Sequence, residues 1–127
     1  MCMPSRIDAT SKRILYVINL FGMPISKLVL HKILYELKKR GVRLNLKFVD
    51  EFKYSIDLEK KLERLIKGGY ILRIITTSGS YTELYDITYK LTPKGIEVIK
   101  SLDIDKRDID RINHFFDEMK NDEMRNL

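Results

Sequence analysis

The sequence predicts an α+β domain in which helices surround one β-hairpin. Three observations lead there. Apolar residues recur at helical spacing in five separate stretches of the chain. Tyr70 to Thr76 is rich in β-formers, and Tyr85, Ile87, Tyr89 and Leu91 alternate with polar residues, on either side of Thr77-Ser78-Gly79-Ser80. Cap residues also stand where those helices should start and stop.

The elements follow in order. Ile14, Leu15, Val17, Ile18 and Phe21, preceded by Ser11, give a first helix closed by Gly22. Met23-Pro24-Ile25 reads as a turn. Ser26 caps a second helix reaching Arg40, with Gly41 just beyond. Leu30, Ile33, Leu34 and Leu37 form its core face, and Leu28, Lys32, Tyr35 and Lys39 its outer stripe. Val42, Leu44, Leu46 and Phe48 alternate with Arg43, Asn45 and Lys47, which predicts a half-buried strand. Residues 50–54 read as a loop. Ser55 or Asp57 caps a third helix with Leu58, Leu62, Leu65 and Ile66 inward, ending at Gly68-Gly69. Thr92-Pro93 opens a fourth, with Ile96, Ile99 and Leu102 facing the core. Past Asp103-Ile104-Asp105, the residues Ile109, Ile112, Phe116 and Met119 define a last amphipathic helix, capped by Asp105 or Asp108. The domain limits that result are a flexible N-terminus (1–10), a body (11–102) and a C-terminal amphipathic helix (103–127).

With 127 residues, 44% hydrophobic and 33% charged, the chain fits one domain with an ordinary apolar core. Its longest apolar stretch is interrupted by Asn19 and is far too short to span a bilayer. The first residues carry no apolar signal-peptide region, and Cys2 has no second cysteine to pair with. A soluble cytoplasmic chain is the expectation. The net charge of +6 is unevenly distributed: +8 over residues 1–49, +1 over 50–101 and −3 over 102–127. That polarity fits either good solubility or a polyanionic partner. The absence of Gln and the single Ala, beside 16 Ile and 15 Lys, fit a thermophile and equally an AT-rich genome.

Enzymatic chemistry finds no support. His31 lies on a Lys-rich flank and His114 beside two Phe, which fits surface or core-edge histidines. Two histidines and one thiol make a poor metal site, and Gly68-Gly69 lacks the further glycines and Gly-Lys-Ser/Thr of a phosphate cradle. No enzyme activity, metal or cofactor is expected.

Two further segments carry a resemblance. Leu58-Glu-Lys-Lys-Leu-Glu-Arg-Leu-Ile-Lys-Gly-Gly-Tyr-Ile71 resembles a recognition helix running into a wing strand. Tyr89-Lys-Leu-Thr-Pro-Lys-Gly-Ile96 resembles the wing exit of MarR-, PadR- and ArsR-like regulators. Over about residues 12–101 the chain thus resembles a winged helix-turn-helix domain, with N-terminal helices, a hairpin wing and an extra C-terminal helix. Pro24 to Lys27, Lys32, Leu34, Tyr35 and Lys53-Tyr54-Ser55 also resemble, in part, archaeal and phage-associated winged helices such as Panacea-type antitoxins. The Gly-Pro that precedes Tyr-Ser in those proteins is absent here.

The resemblance implies a transcriptional regulator binding double-stranded DNA through its third helix. Lys60, Arg64 and Lys67 fall on one outward stripe of that helix, and Lys27, Lys53, Tyr54, Ser55, Lys61 and Arg73 surround it. Phosphate contact is the role such cations serve. Against this, Asp57 and Glu63 flank the stripe, and Asp57–Lys61 and Glu63–Lys67 have the spacing of helical ion pairs. The alternative is therefore a protein-protein interaction module, antitoxin-like or a complex-assembly subunit, with Leu28 in an exposed apolar patch. Tyr35 is expected to pack rather than to touch phosphate, and the wing tip carries no Arg or Lys. The last helix, with Ile109, Ile112, Phe115, Phe116 and Met119, either folds back on its own first helix or pairs with its copy, and a homodimer using it together with the first helix is the expectation.

Overall fold

The computed structural model describes residues 7–49, 53–76, 86–101 and 103–125. Among them are five helices and three strands: α1 (Ala9–Phe21), β1 (Ile25–Ser26), α2 (Lys27–Lys39), α3 (Ile56–Lys67), β2 (Ile71–Thr76), β3 (Asp86–Leu91), α4 (Pro93–Lys100) and α5 (Lys106–Arg125). The strands form one antiparallel sheet ordered β1-β3-β2. Register runs from Ile71 opposite Leu91 to Thr76 opposite Asp86, with Ile25 opposite Tyr89 on the other side of β3. The chain is thus α+β. The expected hairpin strands are present, and the Thr77-Ser78-Gly79-Ser80 turn lies outside the described residues.

Local chemistry explains most limits. Ser26 Oγ accepts from Val29 N, Ser55 Oγ from Leu58 N and Thr92 Oγ1 from Gly95 N, so each hydroxyl satisfies a first-turn N–H. Asp105 Oδ1 accepts from Arg107 N at the start of α5. Gly69 follows α3 with φ 81, a left-handed conformation that a side chain would strain. Gly95 serves close approach instead. A Cβ there would stand 2.1 Å from the Tyr70 carbonyl oxygen, so α4 and the start of β2 touch backbone to backbone.

Four expectations are corrected. The first helix begins at Ala9 under an Asp8 cap rather than after Ser11, because the Asp8 carboxylate accepts from Ser11 N at 2.7 Å. Residues 9 and 10 therefore belong to the body, and Thr10 is buried. Ile25, expected in a turn, is fully buried and pairs with β3. Residues 42–48 alternate in burial as foreseen but join no sheet. Val42, Leu44 and Leu46 are buried, yet the backbone finds other partners: Asn45 N donates to Thr10 Oγ1 and Lys47 N to Asp57 Oδ2, both at 2.9 Å. Lys38 Nζ donates to the Leu46 carbonyl. Period two records a one-sided burial, which side-chain anchors can supply as well as a neighbouring strand. Ile96 is exposed, so the core face of α4 is narrower than its spacing implied, and Leu102 lies outside the described residues.

The apolar core runs from α1 and α2 through α3, the sheet and α5. Ile112 is fully buried, and Phe115 and Phe116 nearly so, within this single chain. Ile109 and Met119 are half-buried at its margin. The stripe that these residues form on α5, expected as a dimer seam, packs here against the core of its own chain. A polar clasp accompanies them. Arg13 of α1 reaches Asp108 of α5 through Nη2 at 2.6 Å and Nε at 2.8 Å, with both side chains out of solvent. Asp108 is thereby an interhelical partner and not the cap.

Candidate nucleic-acid interface

The third helix has one apolar face, carrying Leu58, Leu62 and Leu65 into the core; acids and bases cover most of its remaining surface, with Ile56 exposed at its start. What its outer face offers depends on where the acids turn. Glu59 leans toward α2, where its Oε1 meets Lys27 Nζ and His31 Nε2, each at 3.0 Å. Glu63 pairs with Arg73 of β2. Asp57 accepts the Lys47 backbone N–H. Neither helical pair foreseen from spacing is made, because each acid has a better-placed partner on another element. Lys61 turns to Asp8 at 2.8 Å, and its side chain is only 13% exposed. Lys60, Arg64 and Lys67 stay exposed and form no ion pair with any described residue.

The entrance to α3 is built around His31. This ring is 1% exposed, so it is not a surface or core-edge residue as its Lys-rich flank implied. Ser55 N donates to His31 Nδ1 at 3.1 Å. Nδ1 must then be unprotonated, and the neutral ring carries its proton on Nε2, facing Glu59. Tyr54 stacks on the imidazole at 4.3 Å between centroids, nearly parallel, with Lys27 Nζ 5.8 Å from the Tyr54 centroid. Burial lowers the His31 pKa, outweighing the upward pull of Glu59. For Glu59 burial acts to raise the pKa, but hydrogen bonds from Lys27 and His31 prevail and hold it below the usual value. Lys27 is desolvated, which would lower its pKa, yet the Glu59 bond raises it.

The remaining candidates divide by position. Ser55 is fully buried, so its expected contact with DNA is withdrawn; its hydroxyl is the helix cap. Tyr54 and Lys27 are half-buried in the His31 cluster, and Arg73 is tied to Glu63. Lys53 sits 3.5 Å from Glu36 and over the Tyr35 ring. Tyr35 itself packs edge-on against Phe48. Leu28 is 74% exposed on the outer stripe of α2.

A cleft of about 300 Å³ lies alongside α3, lined by Asn45, Lys47, Asp57, Lys60, Lys61 and Arg64. Lys47 belongs to the basic N-terminal part of the chain and meets the α3 cations here. Sequence reasoning missed it. The alternation of residues 42–48 turns Lys47 outward, but nothing local tells that this segment runs beside α3. Among the described residues, no three His, Cys, Asp or Glu side chains form a group able to hold a metal ion, and no helix is long and apolar enough to cross a membrane.

No protein-family description, curated protein or solved structure matches the chain.

Proposed function

We propose that the chain is a winged helix-turn-helix protein that binds duplex DNA with the outer face of α3, as a transcriptional regulator. In this reading α2 and α3 are the motif helices and β2 and β3 the wing. The order of elements and the β1-β3-β2 sheet support it. One observation carries the DNA reading: the acids of α3 are committed to Lys27, His31, Arg73 and the Lys47 backbone, which leaves Lys60, Arg64 and Lys67 exposed and without an ion pair among the described residues. Unpaired cations on a helix that can enter the major groove provide the phosphate affinity such binding requires. On this reading the protein works in the cytoplasm as a non-enzymatic binding protein. Ile112 and Phe116 of α5 serve the core of their own chain.

The test is a titration of labelled random-sequence duplex by fluorescence anisotropy at about 50 and about 200 mM salt. Log affinity falls linearly with log salt, and Lys60→Glu with Arg64→Glu weakens binding roughly tenfold or more. Absence of binding at the lower salt refutes the reading. A protein-contact module is the second reading, favoured by the exposure of Leu28. It is recognised by Leu28→Ser abolishing capture of a protein partner by a chain that ignores duplex DNA.

A further inference from the structure

The connection between α2 and α3 is long. With α2 ending at Lys39 and α3 starting at Ile56, residues 40–55 separate them, against a turn of about 3–4 residues in a plain helix-turn-helix. Part of the extra chain has a defined use. Leu44 and Leu46 are buried, while Asn45 and Lys47 face outward. Their backbone N–H groups are pinned to Thr10 and Asp57, so the outward side chains are held beside α3 before any ligand arrives.

This arrangement gathers cations from two elements. Lys47 comes from the connection; Lys60 and Arg64, one turn and about 6 Å apart along the axis, come from α3. None of the three pairs with a described acid. Lys61 is neutralised by Asp8, and the Asp57 carboxylate binds backbone at the wall of the cleft. What remains is a net positive recess with Lys ammonium groups, an Arg fork and the Asn45 amide as donors. Those groups suit the oxygens of a phosphate.

We propose that this cleft is a phosphate-binding site, and that the phosphates it takes are those of the DNA backbone beside α3. The connection thus adds a second row of contacts, independent of base sequence. The proposal rests on the DNA reading for the source of the phosphate but not for the site itself. A free polyphosphate would satisfy the same donors, so the experiment has two arms.

The full chain, labelled for amide NMR, is titrated with a short random duplex and separately with inorganic tripolyphosphate. Lys47→Ala and Lys47→Glu are compared with Lys100→Ala on α4. Because the Lys47 backbone makes the anchoring bond, these substitutions leave it intact, and circular dichroism checks that they fold. Expected are amide shifts at Asn45, Lys47, Lys60 and Arg64 on adding duplex. Lys47→Ala should weaken binding several-fold for every duplex sequence and reduce the salt slope by about 0.9. Lys100→Ala should change neither. Duplex binding with unchanged affinity and slope in both Lys47 variants overturns the inference and leaves the DNA reading standing. If duplex does not bind, the DNA reading fails and the second arm decides. Tripolyphosphate shifts at those four amides then support the phosphate site with a free source, and no shifts overturn it.

Discussion

The backbone N–H of Ser55 donates to Nδ1 of His31 across 3.1 Å, joining the middle of α2 to the residue that caps α3. Ser55 in turn holds Leu58 N with its hydroxyl, and Glu59, one turn into α3, returns to the other ring nitrogen. The imidazole therefore sets both the starting point and the approach of the helix on which the DNA reading depends. Replacing His31 with Ala leaves a buried N–H without its partner and should cost about 1–3 kcal/mol in urea unfolding. An unchanged urea midpoint would show that Ser55 needs no such acceptor.

Stability should also fall on mild acidification. His31 is held neutral in the fold with its pKa lowered by burial, whereas the unfolded chain takes up the proton near the ordinary 6.5. The unfolded state then binds more protons, so stability is complete above 6.5 and declines as pH drops through that value. Glu59, held below its usual 4.5, adds a second decline further down. Urea midpoints measured from about pH 8 to about pH 5 should show the first decline, and His31→Gln should remove it. A decline of equal size in that variant assigns it elsewhere.

The Arg13–Asp108 clasp gives a contrast between single and double variants. Asp108→Ala strands a buried guanidinium and should cost about 3–5 kcal/mol, while Arg13→Met with Asp108→Leu should recover most of the loss. Chemical denaturation of the three chains measures it. Equal destabilisation in the single and double variants would mean that the pair contributes by more than avoiding a stranded charge.

Gly95→Ala should destabilise although alanine is the better helix former by about 1 kcal/mol. The new Cβ meets the Tyr70 carbonyl, which is backbone and belongs to the turn between α3 and β2. Overpacking of this kind typically costs about 1–3 kcal/mol. Thermal melts of Gly95→Ala beside Lys94→Ala separate the clash from any general sensitivity of α4. A raised Tm in the former would refute the close approach.

Ile112→Asp should abolish cooperative unfolding, since it places an unpaired carboxylate in the core. Circular dichroism with light scattering distinguishes this from a change of assembly. A variant that stays folded and merely drops from dimer to monomer would put the α5 stripe between two chains.

Much of the local structure was legible in the sequence. Ser26, Ser55 and Thr92 cap the helices they were expected to cap, and Gly69 ends α3 in the left-handed conformation. The outward stripe of Lys60, Arg64 and Lys67 was equally readable, because helical periodicity places those residues opposite Leu58, Leu62 and Leu65. Sequence reasoning missed the ion pairs of Lys61 and Arg73 and the burial of Ser55 and His31. Each omission concerns a partner outside the local window: Asp8 for Lys61, Glu63 for Arg73, and Glu59 with Ser55 for His31. The α5 stripe shows the same division. Its apolar spacing was evident, but whether it faced its own core or a second copy was not.

By itself the sequence determined most helix limits, the two hairpin strands and the apolar side of most helices, because caps, turns and periodicity act over a few residues. The short strand at Ile25 and the sheet-free path of residues 42–48 followed instead from what packs beside them. The tertiary structure alone decided which charges remain free. Lys61 meets an acid 53 positions away and Arg13 one 95 positions away, while Lys47 is carried to the flank of α3 by a segment anchored on Thr10 and Asp57. A charge pairs with whatever the packing brings within a few ångströms, and that neighbour is set by how the elements close on one another.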